Sequence, residues 1–303
     1  MADFYDSLET RDPALREEQQ FSDLRNQLQN ARDHAPAYTS ILADVDLAAV
    51  NDRTALSVIP LTRKSDIAKR QSELPPLGGY AAAPIDSFYN VFASPGGIFE
   101  PGAARDDYWN FARGLHAAGV RPGDLIHNTF SYHFTPAGLM VDSAARALGC
   151  PVFPGGVGQT ELQIQVMARL KPRAYCGTPS FLKIILDKAA EMKIPVDTLS
   201  LGLVGGEALP GSLRTELSDS GVDVVQFYGT ADLGMVAYES SAKEGMILEE
   251  KVIVEIVRPG TGEPAPEGEV GEIVVTTLSP EYPLIRFATG DLSAFMSGNS
   301  PCG

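Results

Sequence analysis

The pattern of apolar and polar positions divides the chain into three stretches. Asp12 followed by Pro13 forms a helix start, a side-chain cap with proline in the first turn. Phe21, Leu24, Leu28 and Ala31 then recur at three- and four-residue spacing, one apolar stripe on a charged helix that His34-Ala-Pro36 ends. Residues 37–80 alternate short helical signals with breakers at Pro60 and Pro75-Pro76, so 1–80 is expected to be a helical N-terminal layer. His34 reads as a surface residue near a helix end.

In 81–233 the character changes. Asn90-Val-Phe-Ala93 reads as a strand, 94–102 as a loop rich in turn formers, and Tyr108, Phe111, Ala112 and Leu115 as one helix face. Apolar strands follow over 125–129, 151–153, 173–176, 200–204 and 222–227, with helical patterns at 136–148, 161–170, 180–192 and 210–220. This alternation predicts an α/β core of mostly parallel sheets covered by helices. Beyond 234 the helices stop. Segments 235–240, 252–257 and 272–278 alternate as strands around turn-rich 259–262 and 264–271, which predicts a small C-terminal antiparallel β element in 234–303.

Composition narrows the classes of function. The 303 residues are 44% hydrophobic and 21% charged, values of a globular chain with a substantial core. With 24 basic and 39 acidic residues the net charge is −15, which argues against nonspecific binding to nucleic acid or an anionic membrane. A local phosphate site stays compatible with that charge, because backbone amides and a magnesium ion hold phosphates without a basic surface. Cys150, Cys176 and Cys302 are too few and scattered for a disulfide framework. No secretion signal and no apolar run of membrane-spanning length is present, so the protein is expected to be cytoplasmic.

Four strand-end stretches carry candidate chemistry. Asp223-Val-Val-Gln-Phe-Tyr-Gly-Thr-Ala-Asp232 reads as a buried strand delivering Phe227 and Tyr228 to its carboxyl end, where ligands of open α/β sheets bind. Gly229 permits a tight turn there, and Thr230 and Asp232 present oxygens suited to a nucleotide and its metal. In Val204-Gly-Gly-Glu207 two glycines allow a planar ligand close to the backbone, while Glu207 could cap a helix or line a pocket. Thr289-Gly-Asp291 offers a carboxylate for a ribose diol. Ser94-Pro-Gly-Gly-Ile-Phe-Glu100 could array backbone N–H groups around phosphate between a strand and a helix, although Glu100 would repel a phosphate unless turned away. Each stretch by itself also reads as an ordinary turn or cap.

In this order and spacing they resemble the phenylacetate–CoA ligase family of the adenylate-forming superfamily, over nearly the whole chain. Leu148-Gly-Cys-Pro-Val-Phe-Pro-Gly-Gly-Val-Gly-Gln-Thr-Glu161, Thr261-Gly-Glu-Pro-Ala-Pro-Glu-Gly-Glu-Val-Gly-Glu272 and 285–293 are further specific stretches. The resemblance implies a two-step reaction. A carboxylate attacks the α-phosphate of ATP to give an acyl-adenylate, and the thiol of coenzyme A then displaces AMP. By the same resemblance Gly205, Gly206 and Glu207 line the adenine and acyl side, with Phe227 and Gly229 beside them, and Tyr228 flanks the adenine. Thr230 would contact the α-phosphate, Asp232 would hold Mg2+ where the family more often has Glu, and Asp291 would bind the ribose.

The acid is expected near Tyr132, His133 and Phe134, an aromatic wall for a ring-bearing substrate, and near Gly155 and Gly156. Two core aromatics beside a surface histidine is the simpler reading of that trio. Of the family's phosphate loop, which ends in Gly-Lys, only Ser94, Gly96 and Gly97 keep the chemical character. Ala288 stands where the family commonly has Arg. Ser240 and Ser300 occupy plausible cysteine positions, so no metal beyond magnesium is expected. The closing Pro-Cys-Gly resembles a segment before the family's hinge, and the chain is expected to be the large N-terminal domain without the C-terminal lid and its lysine. The leading expectation is therefore an acid–thiol ligase using ATP, Mg2+ and coenzyme A on an aromatic or other apolar carboxylic acid. Neither nucleic acid nor a membrane is an expected partner, and a homodimer is compatible. A ligase-like scaffold, or an adenylating enzyme with another acceptor, are the alternatives.

Overall fold

The computed structural model describes residues 4–94, 96–298 and 300–302. Pro95 of the expected loop and Gly303 of the closing Pro-Cys-Gly lie outside them. The chain opens with helices α1 (Pro13–His34), α2 (Pro36–Ile41) and α3 (Arg53–Ser57), then a short strand β1 (Thr62–Arg63) runs into α4 (Lys64–Glu73). Asp12 starts α1 as the sequence predicts, its carboxylate accepting from the amides of Ala14 and Leu15 at 2.9 and 3.3 Å.

Strands β2 (Phe88–Ser94) and β3 (Ile98–Ala103) follow, paired antiparallel with Ser94 opposite Ile98. This corrects the reading of 94–102 as a loop. Residues 98–103 are a strand because they pair in register with β2, and the turn is confined to the few residues around Gly96 and Gly97, both at positive φ. No helix follows the turn directly, so it has no helix N-terminus to offer a phosphate.

The middle of the chain runs α5 (Ala112–Ala117), β4 (Ile126–Asn128), α6 (Ala137–Leu148), β5 (Val152–Pro154), α7 (Thr160–Leu170) and β6 (Ala174–Gly177). It continues through α8 (Pro179–Met192), β7 (Leu201–Val204), α9 (Gly211–Asp219), β8 (Asp223–Thr230), β9 (Gly234–Tyr238) and β10 (Ile247–Leu248). The last strands are β11 (Val252–Val257), β12 (Gly271–Thr277) and β13 (Phe287–Ser293).

Two compact units result, interleaved along the chain. The first comprises Arg105–Glu249 with residues 4–5 and 300–302; the second comprises Asp6–Ala104 and residues 250–298. Their boundaries differ from segments 1–80, 81–233 and 234–303, because the N-terminal helices and the C-terminal strands share one core.

In the first unit the sheet order is β10-β9-β8-β7-β6-β4-β5, with β8 to β5 parallel and β9 and β10 antiparallel. Segment 235–240, expected in the C-terminal β element, instead doubles back on β8 within this sheet. Helices α7, α8 and α9 bury Ile164, Leu182, Ile185 and Leu217 with Tyr175 and Val224 of the strands. On α5, a Cβ at Gly114 would come within 2.5–2.8 Å of the Met235 side chain, so this helix lies directly on the sheet. Burial on both faces explains why β6 and β7 read as continuous apolar runs.

In the second unit the order is β1-β13-β12-β11, with a parallel β1–β13 pair and antiparallel pairs elsewhere. The edge strand β11 is closed by polar groups. Gln20 donates to Val252 O at 3.2 Å, Arg53 to Val254 O at 2.7 Å, and Ala265 N to Ile256 O at 2.9 Å. Gln20 and Gln27 lie among the buried residues of α1, and hydrogen bonds offset their burial: Gln27 donates to Thr277 O and Ser279 O.

Candidate functional site

The five parallel strands of the first unit have the order 2-1-3-4-5, and the order reverses between β4 and β6. Ligands of open α/β sheets bind at the carboxyl ends of the strands beside such a reversal. There β4 delivers Asn128, Thr129 and Phe130, β6 delivers Gly177 and Thr178, β7 delivers Gly205 and Gly206, and β8 delivers Phe227 and Tyr228.

These glycines are fixed by close approach. A Cβ at Gly205 would fall 2.6 Å from the Phe227 ring, so only glycine lets the two strand ends meet. At Gly206, which is exposed, φ is 78° and an added Cβ would make ordinary contact with Phe130 and Thr178 at 3.7 and 3.8 Å. Phe130 and Phe111 both meet Phe227 edge-on, at centroid distances of 6.0 and 4.9 Å. Glu207 is exposed and accepts from Ser180 N at 2.7 Å, which caps the first turn of α8.

A register shift between Tyr228 and Gly229 interrupts the β8–β9 ladder just before the turn. In the turn, Thr230 Oγ1 accepts from Leu233 N at 3.2 Å, so the hydroxyl hydrogen stays available to donate elsewhere. Asp232 lies half-buried in the same turn. Gly234 is packed so closely on Trp109 that a Cβ would lie 2.6 Å from Trp109 O, and Met235 N donates to that oxygen at 2.9 Å. Trp109, the single tryptophan of the sequence, is thus a reporter next to the turn.

The aromatic trio is split rather than gathered. Tyr132 turns inward, accepting from Asn128 Nδ2 at 2.8 Å and donating to Asp142 Oδ1 at 2.7 Å. Burial and the neighbouring carboxylate push the Tyr132 phenol far above its ordinary range, and burial raises Asp142 as well. His133 is exposed, and Phe134 is 81% exposed with φ at 63°. The expected three-residue wall is therefore reduced to the ring of Tyr132, whose hydroxyl finds inward-facing partners. Gly156 lies against that ring, an added Cβ falling 3.9 Å from Tyr132 Cδ2. Gly155 abuts His127 and Gln163, buried residues that sequence reasoning missed.

Ser94, Gly96, Gly97 and Asp291 belong to the second unit. Ser94 Oγ accepts from Lys64 Nζ at 3.2 Å and donates to Glu100, which is buried. Glu100 is thus turned inward, away from the face where it would oppose a phosphate. The Lys64 chain runs beside the turn, its Cε 3.0 Å from the position of a Cβ on Gly96. Lys64 had no signal in the loop motif because it comes from α4. Asp291 is exposed on β13, its amide donating to Thr289 Oγ1 at 3.1 Å.

Residues 110–279 match the family model of the AMP-binding enzymes. A phenylacetate–coenzyme A ligase of Pseudomonas putida is 31% identical, the match covering 97% of this chain and 70% of that protein. The chain belongs to the AMP-binding enzyme family, on its phenylacetate–CoA ligase branch. A second such ligase, from Thermus thermophilus, is 32% identical over 89% of this chain. The chain spans 64% of the Thermus protein's length and 59% of an Aromatoleum evansii relative. Among solved structures, an open conformation of 2-hydroxyisobutyryl-CoA ligase in complex with 2-HIB-AMP and CoA superposes with a TM-score of 0.91. It covers 100% of this chain and 76% of that one at 23% identity, a likeness of fold.

Some of the residues at these strand ends have the chemistry that a nucleotide and its metal need. Exposed backbone at Gly206, next to Gly205 on the Phe227 ring, suits a planar base, and the Thr230 hydroxyl suits a phosphate oxygen. Among the described residues no group of three or more His, Cys, Asp or Glu gathers as a metal cage. A donor set centred on Asp232 alone suits Mg2+, which is commonly held by one or two carboxylates together with substrate phosphates.

Proposed function

We propose that this protein activates a carboxylic acid with ATP and passes the acyl group to the thiol of coenzyme A. The carrying observation is the adjacent ends of β7 and β8, where Gly205 is seated on Phe227, with Tyr228 and Thr230 closing β8 and Asp232 in the turn after it. The relatives named phenylacetate–coenzyme A ligase, and the 2-HIB-AMP and CoA held by the structural neighbour, support this class of reaction.

In the first step a carboxylate oxygen bonds to the α-phosphorus and the bond to the oxygen bridging to the β-phosphate breaks, releasing pyrophosphate. In the second the thiolate sulfur bonds to the acyl carbon and AMP leaves with the bonding electrons. Gly205 and Gly206 let the adenine lie on the backbone and Tyr228 flanks it. Thr230, already accepting from Leu233 N, donates to an α-phosphate oxygen. Mg2+ at Asp232 would supply neutralisation of phosphate charge. Phe130 and Phe227 give an apolar side suited to an aromatic or similar acid. Taken by itself, the second unit offers a Gly96-Gly97 turn with the Lys64 chain beside it as a phosphate-binding feature and Asp291 as a carboxylate for hydroxyl groups. We read the protein as cytoplasmic. All three thiols are free, and no helix among the described residues is long and apolar enough to cross a membrane.

Titration calorimetry with AMP and with phenylacetyl-sulfamoyladenosine tests the reading. Both are expected to bind, the second more tightly, and Thr230→Val should weaken the second by about tenfold, the worth of one hydrogen bond to a charged group. Asp232→Asn should remove the dependence of ATP binding on Mg2+. No binding by the unaltered protein, or equal binding of the sulfamoyl analogue by Thr230→Val, overturns it.

The Ser94 hydroxyl favours a second reading, because it is bonded within the protein to Lys64 and to the buried Glu100. A protein that binds adenylates without turnover would show the same binding but no acid-dependent pyrophosphate exchange. Product analysis with other acceptors separates the variant that does not use coenzyme A.

A further inference from the structure

Behind the loop 155–159 lies a buried pair that the reaction does not call upon. His127, at the centre of β4, is 0% exposed, and Gln163, in the first turn of α7, is 3% exposed. Their side chains meet with His127 Nε2 and Gln163 Oε1 2.6 Å apart. The other end of the same amide donates twice, to Gly156 O at 2.9 Å and to Gly158 O at 2.6 Å. Both N–H groups of Gln163 are thereby used on the loop, which fixes the amide with its oxygen towards the imidazole. His127 must then carry its proton on Nε2. Burial lowers its pKa, which keeps the ring neutral.

The loop needs such a holder. Gly156, Gly158 and Gln159 all lie at positive φ, and α7 starts on Gln159 with no side-chain cap. Gln163 leaves the first N–H groups of α7 uncapped, but its amide holds the loop that leads into the helix by donating to two of its carbonyls. A backbone bond from Gly156 N to Asn128 O at 3.0 Å ties the same loop to β4. A Cβ at Gly155 would stand 2.8 Å from Gln163 Oε1 and 3.0 Å from His127 Nε2, so the loop is drawn tightly onto the pair. At Gly156 it faces the ring of Tyr132. His127 is itself held by stacking on Phe153 of β5, at a centroid distance of 5.2 Å.

We propose that His127 and Gln163 are positioning residues that set the 155–158 loop and, through it, the selectivity of the site for the acyl group. The proposal rests on the adenylation reading above. The pair grips the 155–158 loop and not the strand ends that carry Gly205, Gly206 and Tyr228, so the acyl contribution and the AMP contribution to affinity are separable. Gln163→Glu tests the amide directly. A carboxylate keeps an acceptor for His127 but turns an oxygen towards two carbonyls and releases the loop. Gln163→Met keeps the length and removes every hydrogen bond.

The measurement is the ratio of dissociation constants for AMP and phenylacetyl-sulfamoyladenosine in the unaltered protein and both variants. In both variants the ratio is expected to fall by about tenfold while the AMP constant stays within about twofold, the loss of one or two hydrogen bonds felt only on the acyl side. An unchanged ratio, or equal loss for both ligands, overturns the proposal. Nitrogen NMR of the unaltered protein covers the case in which a variant does not fold. His127, one of four histidines in the sequence, should be the Nε2-protonated neutral form and should shift with the acyl analogue but not with AMP. The opposite tautomer, or equal response to both ligands, overturns it as well. If the unaltered protein binds neither ligand, the adenylation reading fails first and this inference fails with it.

Discussion

Asp107 sits ahead of α5 at φ 51°, its Oδ1 accepting from Ala112 N at 3.0 Å. Burial lifts its carboxyl from 3.8 to about 6, against the pull of backbone amides and of Arg105 and Arg113. The protonated form is thus favoured in the folded protein. Its contribution to stability is complete below the unfolded value of 3.8 and is lost as the pH rises through about 6. Asp107→Asn keeps the accepting oxygen and removes the charge. It should add about 2–3 kcal/mol at pH 7 and almost nothing at pH 4. Paired urea melts across that range check this, and a difference independent of pH would contradict it. At this scale the sequence showed what is local. Asp12 as a cap and Phe227-Tyr228 at a strand end follow from neighbours along the chain. His127 and Gln163 did not, because a polar residue in an apolar strand has no partner in view until a residue 36 positions away is folded against it.

Elements reveal the same division. Helices and parallel strands were legible because their periods persist over many residues. The hairpin of β2 and β3 was not, since the turn formers at Gly96 and Gly97 and the prolines hid a strand of six residues. Nor was the attachment of β9 to β8, where a tight turn after Thr230 outweighs the change in composition beyond 234. The second unit carries its own hidden element. Arg286, 2% exposed at the head of β13, pairs through two nitrogens with Glu255 of β11 at 3.0 Å each. It also donates to the carbonyls of Ser57, Ile59 and Gly262, tying α3, the chain after it and the 259–262 turn to the sheet. Burial raises the Glu255 carboxyl and Arg286 opposes that rise. Arg286→Met should cost about 3–5 kcal/mol, because it leaves a buried carboxylate uncompensated. Arg286→Met with Glu255→Met should recover a large part of that loss in chemical denaturation. A double variant no more stable than the single one would show that the carbonyl bonds, rather than the charge pair, dominate.

For the molecule as a whole, the parallel run of the first unit's strands puts the motif residues of β7 and β8 and the glycine loop after β5 at the carboxyl ends of one sheet, with β6 and β4 between them. That convergence gives separate tasks to residues that looked like isolated turns. On the proposed reading, glycines 205 and 206 would provide a surface, Thr230 a donor, and Tyr132 with the 155–158 loop a boundary for the acyl group. The sequence suggested these tasks through the motifs of the family it resembles, while the buried residues His127 and Gln163 emerged only from the fold. A crystal structure of the protein with phenylacetyl-sulfamoyladenosine tests the central claim most directly. The account predicts the adenine over Gly205-Gly206 beside Tyr228, the sulfamoyl group within hydrogen-bond distance of Thr230 Oγ1, and the phenyl ring between Phe130 and the 155–158 loop. An analogue bound elsewhere, or bound with its base away from those glycines, would contradict it.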